Sequence, residues 1–276
     1  LPAALDVVAT GSALASGSDG VLATTRFVSG PVREWAAAFG AFEALTTTTN
    51  GITVNAWQAR GQSFDLIRLR DTAALALATF EERFGAYPYR ELDLMAMPWE
   101  GDAGIEYPGL IYILVGGAVN QSTDFVVDHE VAHQWWYGVV GNDIYREPWI
   151  DESLANYSAV VAAEVRLSPQ AARTIFTEEL YAPYERNRAL GDPPAGLPIT
   201  GYADFNRYYR AIYGKGAVFL DTLRAEIGDA AFFAGLRDLY AAERHGIATR
   251  PEVLAAFESA SGRDLDALFA TWLGQP

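Results

Sequence analysis

Two of the three histidines in this 276-residue chain stand four positions apart, in His129-Glu130-Val131-Ala132-His133. Four residues turn an α-helix by about 400°, so the two imidazoles lie one above the other on a single face. Stacked this way, both can reach one Zn²⁺ at about 2.0–2.1 Å. Glu130 sits one position round the helix and cannot join as an equal ligand, but its carboxylate can reach a water held on the metal. The bland alternative is a surface helix with a glutamate between two solvated histidines. Trp135, Trp136 and Val139 speak against it, because they make the predicted helix apolar around much of its girth.

A catalytic zinc site needs a third protein ligand and one open position. The metzincin spacing asks for a glycine and a third histidine at fixed offsets, and Trp136 and Val139 occupy those places. The gluzincin spacing asks instead for a glutamate on a following helix. Glu147-Pro148-Trp149-Ile150-Asp151-Glu152-Ser153 starts such a helix, with Pro148 in its first turn and Glu152 in its opening turns. The loop 141–147 is long enough to fold that helix back, so that Glu152 completes a His₂Glu set with room for water. Asp151 and Glu147 better suit the ordinary preference of acids for a helix N-terminus.

The elements that must position these groups follow from periodicity. The first sixty residues carry short runs rich in Val, Thr, Phe and Trp, broken by Gly30-Pro31, Gly40 and Asn50-Gly51. Asn50-Gly51 between two β-prone runs is a hairpin signal. Three or four strands are few for an independent sandwich, so residues 1–60 read as the C-terminal remnant of a β-domain. From Ser63 the apolar spacing turns helical, through Leu66, Leu69, Ala73, Leu77 and Phe80 to a stop at Gly85. Strands are predicted at Glu91–Met97 and Gly109–Val115. Beyond Ser122 helices are predicted at Thr123–Val140, with Ser122-Thr123 as start signals, and at Pro148–Leu167, Pro169–Asn187, Phe205–Ile227, Ala230–Glu243, Pro251–Ser261 and Leu265–Leu273. The proline-rich stretch from Ala189 to Thr200 is a loop. The domain reading is therefore 1–60 and 61–276, the latter divided into an α/β lobe (61–140) and a helical lobe (141–276).

Composition narrows the function further. Half the residues are hydrophobic and 20% are charged, which excludes a disordered chain. The absence of cysteine excludes disulfides, thiolate zinc sites and a cysteine nucleophile. Twenty Lys+Arg against 35 Asp+Glu give a formal charge of -15, the wrong sign for gripping nucleic acid and one that favours solubility. The longest nearly uncharged apolar run, Gly109 to Val119, is too short to span a bilayer, so no transmembrane segment is expected. No secretory signal pattern opens the chain, which reads as processed or as a piece of something longer. Basic residues that are nearly all arginine, with abundant alanine, point to a GC-rich bacterial source. They do not indicate a compartment.

The motif, its eighteen intervening residues and Glu152 resemble the aminopeptidase N family of gluzincins, in Val131-Ala132-His133-Gln134-Trp135-Trp136 and Trp149-Ile150-Asp151-Glu152-Ser153. Ala103-Gly104-Ile105-Glu106-Tyr107 falls where that family has a Gly-Ala-Met-Glu-Asn strand, with Tyr107 for the asparagine and Ala103 for the first glycine. Tyr213-Gly214-Lys215-Gly216-Ala217 resembles its Tyr-x-Lys-Gly-Ala segment, and Asp264 to Leu273 the usual end of its thermolysin-like domain.

The resemblance implies an α+β fold, a thermolysin-like catalytic domain with a small mixed-sheet α/β lobe and a helical lobe, preceded by the β-strand remnant. It implies one Zn²⁺ per chain on His129, His133 and Glu152, and Glu130 as general base in peptide hydrolysis. Tyr213 would share the oxyanion, and Glu106, with Gly104 and Ile105 on its strand, would bind peptides with a free N-terminus. Flanking domains of a full-length protein would pack against this chain. Lys215, the only lysine, is expected to be a solvated helix residue and His245 a solvated helix-end residue. Asn156 is read as orienting a ligand from the second rank. Two other readings stay open at this point: a non-catalytic scaffold, and a hydrolase of a non-peptide such as an epoxide on the same metal site.

Overall fold

The computed structural model describes residues 1–275, and its first sixty residues form six strands: β1 (Asp6–Ala9), β2 (Ser12–Ser18), β3 (Ala23–Val28), β4 (Ala37–Gly40), β5 (Phe42–Thr49) and β6 (Ile52–Ala59). Helix α1 (Leu66–Phe84), β7 (Glu91–Pro98), β8 (Ala103–Tyr107), β9 (Leu110–Val115) and α2 (Gln121–Ala132) follow. The chain divides into two compact units, Leu1–Ala78 with Tyr87–Gln134, and Thr79–Ala86 with the chain from Trp135 onward.

In the first unit β1 pairs with β4 and β2 with β3, while five strands form one mixed sheet in the order β5-β6-β7-β9-β8. Asn50 and Gly51 take φ of 49° and 82°, as the tight turn between β5 and β6 requires. That hairpin does not stay with the preceding strands. It joins the large sheet because β6 pairs in parallel with β7, with α1 as the crossover. A boundary at residue 60 thus falls between strands of one sheet, while β1 to β4 pair only among themselves. The central strands carry the core residues Leu92, Leu94, Ile111 and Ile113, and the helices add Leu69, Leu77, Val127 and Val131. Arg68 on α1 donates from Nε and Nη2 to the two carboxylate oxygens of Asp124 on α2, at 2.9 and 2.8 Å, a bidentate tie between the helices.

Helix α2 is shorter than its apolar pattern predicts. It ends at Ala132, not Val140, with His133 as its αR C-cap. Beyond it the chain makes a tight turn in which Tyr137 adopts φ 129°, its N–H donates to the Val140 carbonyl, and the Val140 N–H donates to Trp135. The tryptophans that suggested a longer helix are instead anchored in the second unit. Trp135 stands edge-on to Phe80 and donates Nε1 to the Gly85 carbonyl at 2.9 Å, and Trp136 lies 5.1 Å from the Phe84 ring.

The second unit is helical: α3 (Trp149–Arg166), α4 (Pro169–Ile175), α5 (Ala182–Arg188), α6 (Phe205–Tyr209), α7 (Gly216–Ala242), α8 (Arg250–Ser261) and α9 (Asp266–Leu273). Ser168 caps α4 with Pro169 in its first turn. Gly228, at φ 80°, breaks α7 where the sequence separates Phe205–Ile227 from Ala230–Glu243. Two stretches wind more widely than an α-helix, Phe176–Tyr181 between α4 and α5 and Arg210–Lys215 between α6 and α7. Trp149, Phe219 and Phe269 pack edge to face in the core. Among the described residues no helix is long and apolar enough to cross a membrane.

Candidate active site

In the first unit the candidate residues follow from the start of α2. Asn120 caps the helix by accepting from the Ser122 N–H at 2.8 Å, and Thr123 Oγ1 accepts from the Asn120 N–H, so the helix begins at Gln121, two residues before the predicted start. Two turns on, His129, Glu130 and His133 are 8%, 3% and 1% exposed. The helical repeat stacks the two imidazoles as the four-residue spacing demands, and their Nε2 atoms face each other at 2.9 Å. Tetrahedral ligands 2.0–2.1 Å from one ion are about 3.3 Å apart, so this pair fits a single Zn²⁺. The Glu130 carboxylate approaches His129 Nε2 at 4.0 Å.

Strand β8 brings Glu106 to the same point: Glu106, Glu130 and His133 each offer a ligand atom within 4.8 Å of the others. Gly104 faces Glu130 with no room for a side chain between them. Ile105 is exposed, as alternation along an edge strand requires. Two contacts that the sequence reading missed clamp β8 to α2. Thr123 Oγ1 donates to Asp102 Oδ2 at 2.8 Å just before the strand. Just after it, Gln134 Nε2 donates to the Tyr107 carbonyl at 3.1 Å and Oε1 accepts from the Gly109 N–H at 2.8 Å. Both depend on chain segments far apart in sequence.

In the second unit Glu152 lies in the first turn of α3, which begins after Pro148. The hydroxyl of Tyr213 hydrogen-bonds the Glu152 carboxylate, and burial, followed by the charge of Glu152, holds the phenol well above its ordinary range. Tyr213 sits in the wide turn Arg210–Lys215, where the Gly216 N–H reaches back five residues to the Ala211 carbonyl. Such turns insert one extra residue into a helix and frequently occur at functional sites. Helix α3 grips this turn with two side chains: Ser153 Oγ donates to the Ile212 carbonyl at 2.8 Å, and Asn156 Nδ2 to the Tyr213 carbonyl at 2.9 Å. Through its amide nitrogen Asn156 thus holds the tyrosine segment. Tyr209 stacks on the Tyr213 ring at 4.7 Å. Lys215 is not solvated but 4% exposed, and pairs with Asp192.

In the first unit the two buried imidazoles face one another as a pair of metal ligands would, and the chain is similar to known proteins. The model of the peptidase family M1 domain matches residues 70–272. Aminopeptidase N of Lactococcus lactis is 27% identical over 256 residues, 86% of this chain and 30% of its own length. Aminopeptidase M1-A of rice, Oryza sativa, is 25% identical over 83% of this chain and 27% of its own. The chain thus spans about a third or less of the curated relatives it matches. Among solved structures, an M1 zinc metallopeptidase from Deinococcus radiodurans superposes with a TM-score of 0.81 at 20% identity, over 99% of this chain and 61% of that one. A glutamate-to-alanine mutant of it bound to a Tyr-Ser-Ala substrate gives 0.78 at 19%, over 100% and 62%. These structures share the fold: a mixed sheet with helices, preceded by N-terminal strands.

Proposed function

The chain belongs to peptidase family M1, and from that premise we propose that it is the catalytic part of a zinc-dependent aminopeptidase. In this reading His129, His133 and Glu152 hold one Zn²⁺, and Glu130, Tyr213 and Glu106 carry the remaining roles. Bound zinc would supply Lewis acidity and lower the pKa of its water from about 15.7 to near 7. The observation that carries the reading is the convergence of Glu106, Glu130 and His133 within 4.8 Å, which supports reading them as an amine anchor, a base and a metal ligand.

The chain's own residues then have distinct tasks. Glu130 takes a proton from the attacking water and delivers it to the departing amine. Its burial, with Gly104 across from it, supports a fixed proton acceptor over a solvated one. Glu106 pairs with the α-ammonium of the substrate. Strand β8 is a sheet edge, so the backbone of Gly104 and Ile105 can take a peptide by strand addition. Tyr213 donates its hydroxyl to the oxyanion of the tetrahedral intermediate. The substrates are peptides with a free N-terminus, and flanking domains of a longer protein pack against this chain.

The test is metal analysis with kinetics on free and N-acetylated dipeptide anilides, for the wild type and Glu130→Gln. We expect one zinc per chain in both proteins, hydrolysis of the free substrate only, and about a 10²–10⁴-fold loss in the variant. Equal rates on free and acetylated substrates would remove the aminopeptidase claim.

A further inference from the structure

The one lysine of the chain lies two residues beyond Tyr213, in the same wide turn, and its burial is unexplained by the chemistry above. Its Nζ donates to Asp192 Oδ1 at 2.9 Å and to the Pro193 carbonyl at 3.3 Å. An ammonium this buried persists only when paired and hydrogen-bonded. Asp192 is presented with φ 44°, in the left-handed region that glycine, asparagine and aspartate adopt more readily than other residues.

The loop around Asp192 is itself pinned. Arg207 Nη1 donates to the Leu190 carbonyl at 2.6 Å, and the Tyr202 hydroxyl to the Pro194 carbonyl at 3.0 Å. The N–H groups of Ala195 and Gly196 donate to the carbonyls of Trp272 and Leu273, at 3.0 and 3.1 Å. The ammonium therefore grips a fixed point. On the other side of the wide turn Ser153 and Asn156 hold the carbonyls of Ile212 and Tyr213. The turn is held from two directions, and Tyr213 lies between the holds.

We infer that Lys215 and Asp192 are positioning residues for Tyr213: their ion pair fixes the extra residue of the turn, and so the height and aim of the tyrosine hydroxyl. An α-helical register, the default for this sequence, would rotate Tyr213 by part of a turn and carry the hydroxyl away. The role deepens the aminopeptidase reading and, for its effect on turnover, rests on it. The geometric claim stands by itself.

The experiment compares Lys215→Met, Asp192→Asn and the double variant by thermal unfolding, zinc content, kcat and KM on a dipeptide anilide, and amide hydrogen exchange across residues 210–216. Asp192→Asn should unfold at a lower temperature than Lys215→Met, because it leaves a buried ammonium without its counter-charge. The double variant should recover most of that loss. Exchange in 210–216 should rise at least tenfold in all three, and kcat should fall about tenfold, with KM within twofold and zinc unchanged. A double variant with wild-type kcat, or unchanged exchange across 210–216 in every variant, overturns the inference. If the wild type hydrolyses no peptide, the proposed function fails and the exchange measurement alone decides the brace.

Discussion

Gly104 on β8 stands so close to Glu130 on α2 that a Cβ at position 104 would overlap the carboxylate and its methylene. The buried glutamate and the missing side chain occupy one another's space, and this fixes where the acid can point.

Gly104→Ala should therefore move Glu130 and leave the histidines where they are. A displacement on the order of 1 Å at a reacting group can cost about a hundredfold. We expect kcat/KM on a dipeptide anilide to fall by about that factor, with zinc content unchanged. Wild-type turnover in Gly104→Ala would show that the carboxylate is free to aim elsewhere.

Tyr213→Phe removes one hydroxyl and little volume. The loss of an oxyanion donor lowers kcat by about 10²–10³-fold, with a smaller effect on KM. Steady-state kinetics on zinc-loaded protein check this. A KM effect with unchanged kcat would assign the hydroxyl to ground-state binding.

Much of the site could be read from local pattern. The histidine pair depends only on the helical repeat, and the start of α3 only on Pro148 and the acids after it. The Asn50-Gly51 turn is equally local, since two residues set it. What escaped the sequence reading is held by non-local contacts. The apolar pattern through Val139 matches a helix, yet the turn at Tyr137 and the anchoring of Trp135 on Phe80 and Gly85 end it at Ala132. Lys215 reads as a surface residue until the loop that carries Asp192 is seen beside it. The membership of β5 and β6 in the large sheet depends on the parallel pairing of β6 with β7 across the whole of α1.

Gln134, 1% exposed, illustrates such a non-local contact with a measurable cost. Gln134→Ala would leave the buried Gly109 N–H and the half-buried Tyr107 carbonyl without this partner, at about 1–3 kcal/mol for the buried one. Thermal unfolding should show a clear loss. Because the clamp holds the end of β8 that carries Glu106, KM for free-amine substrates should rise more than kcat falls. Unchanged stability would mean that water replaces the amide.

Asp93 on β7 provides a pH test away from the metal. It is 3% exposed, and it accepts from Asn55 Nδ2 at 2.9 Å and Trp57 Nε1 at 2.7 Å. Burial first, and the nearby Glu91 carboxylate second, push its pKa up to about 7, against the opposing pull of those two donors. Tyr87 lies near enough that the Asp93 charge adds to the burial that raises its phenol. The folded protein thus keeps this proton up to about pH 7, whereas the unfolded chain releases it near 3.8. Between those values the folded state binds more protons, so the contribution of Asp93 to stability falls as pH rises through the window and then levels off. Three pH units correspond to about 4 kcal/mol. Asp93→Asn removes the titration and can still accept from Trp57. We expect urea unfolding at pH 5, 6, 7 and 8 to show the variant gaining stability relative to the wild type as pH rises, with most of the gain reached by pH 8. Metal and surface effects common to both proteins cancel in that difference. Parallel curves for the two proteins would mean that Asp93 is ionised in the fold throughout the range.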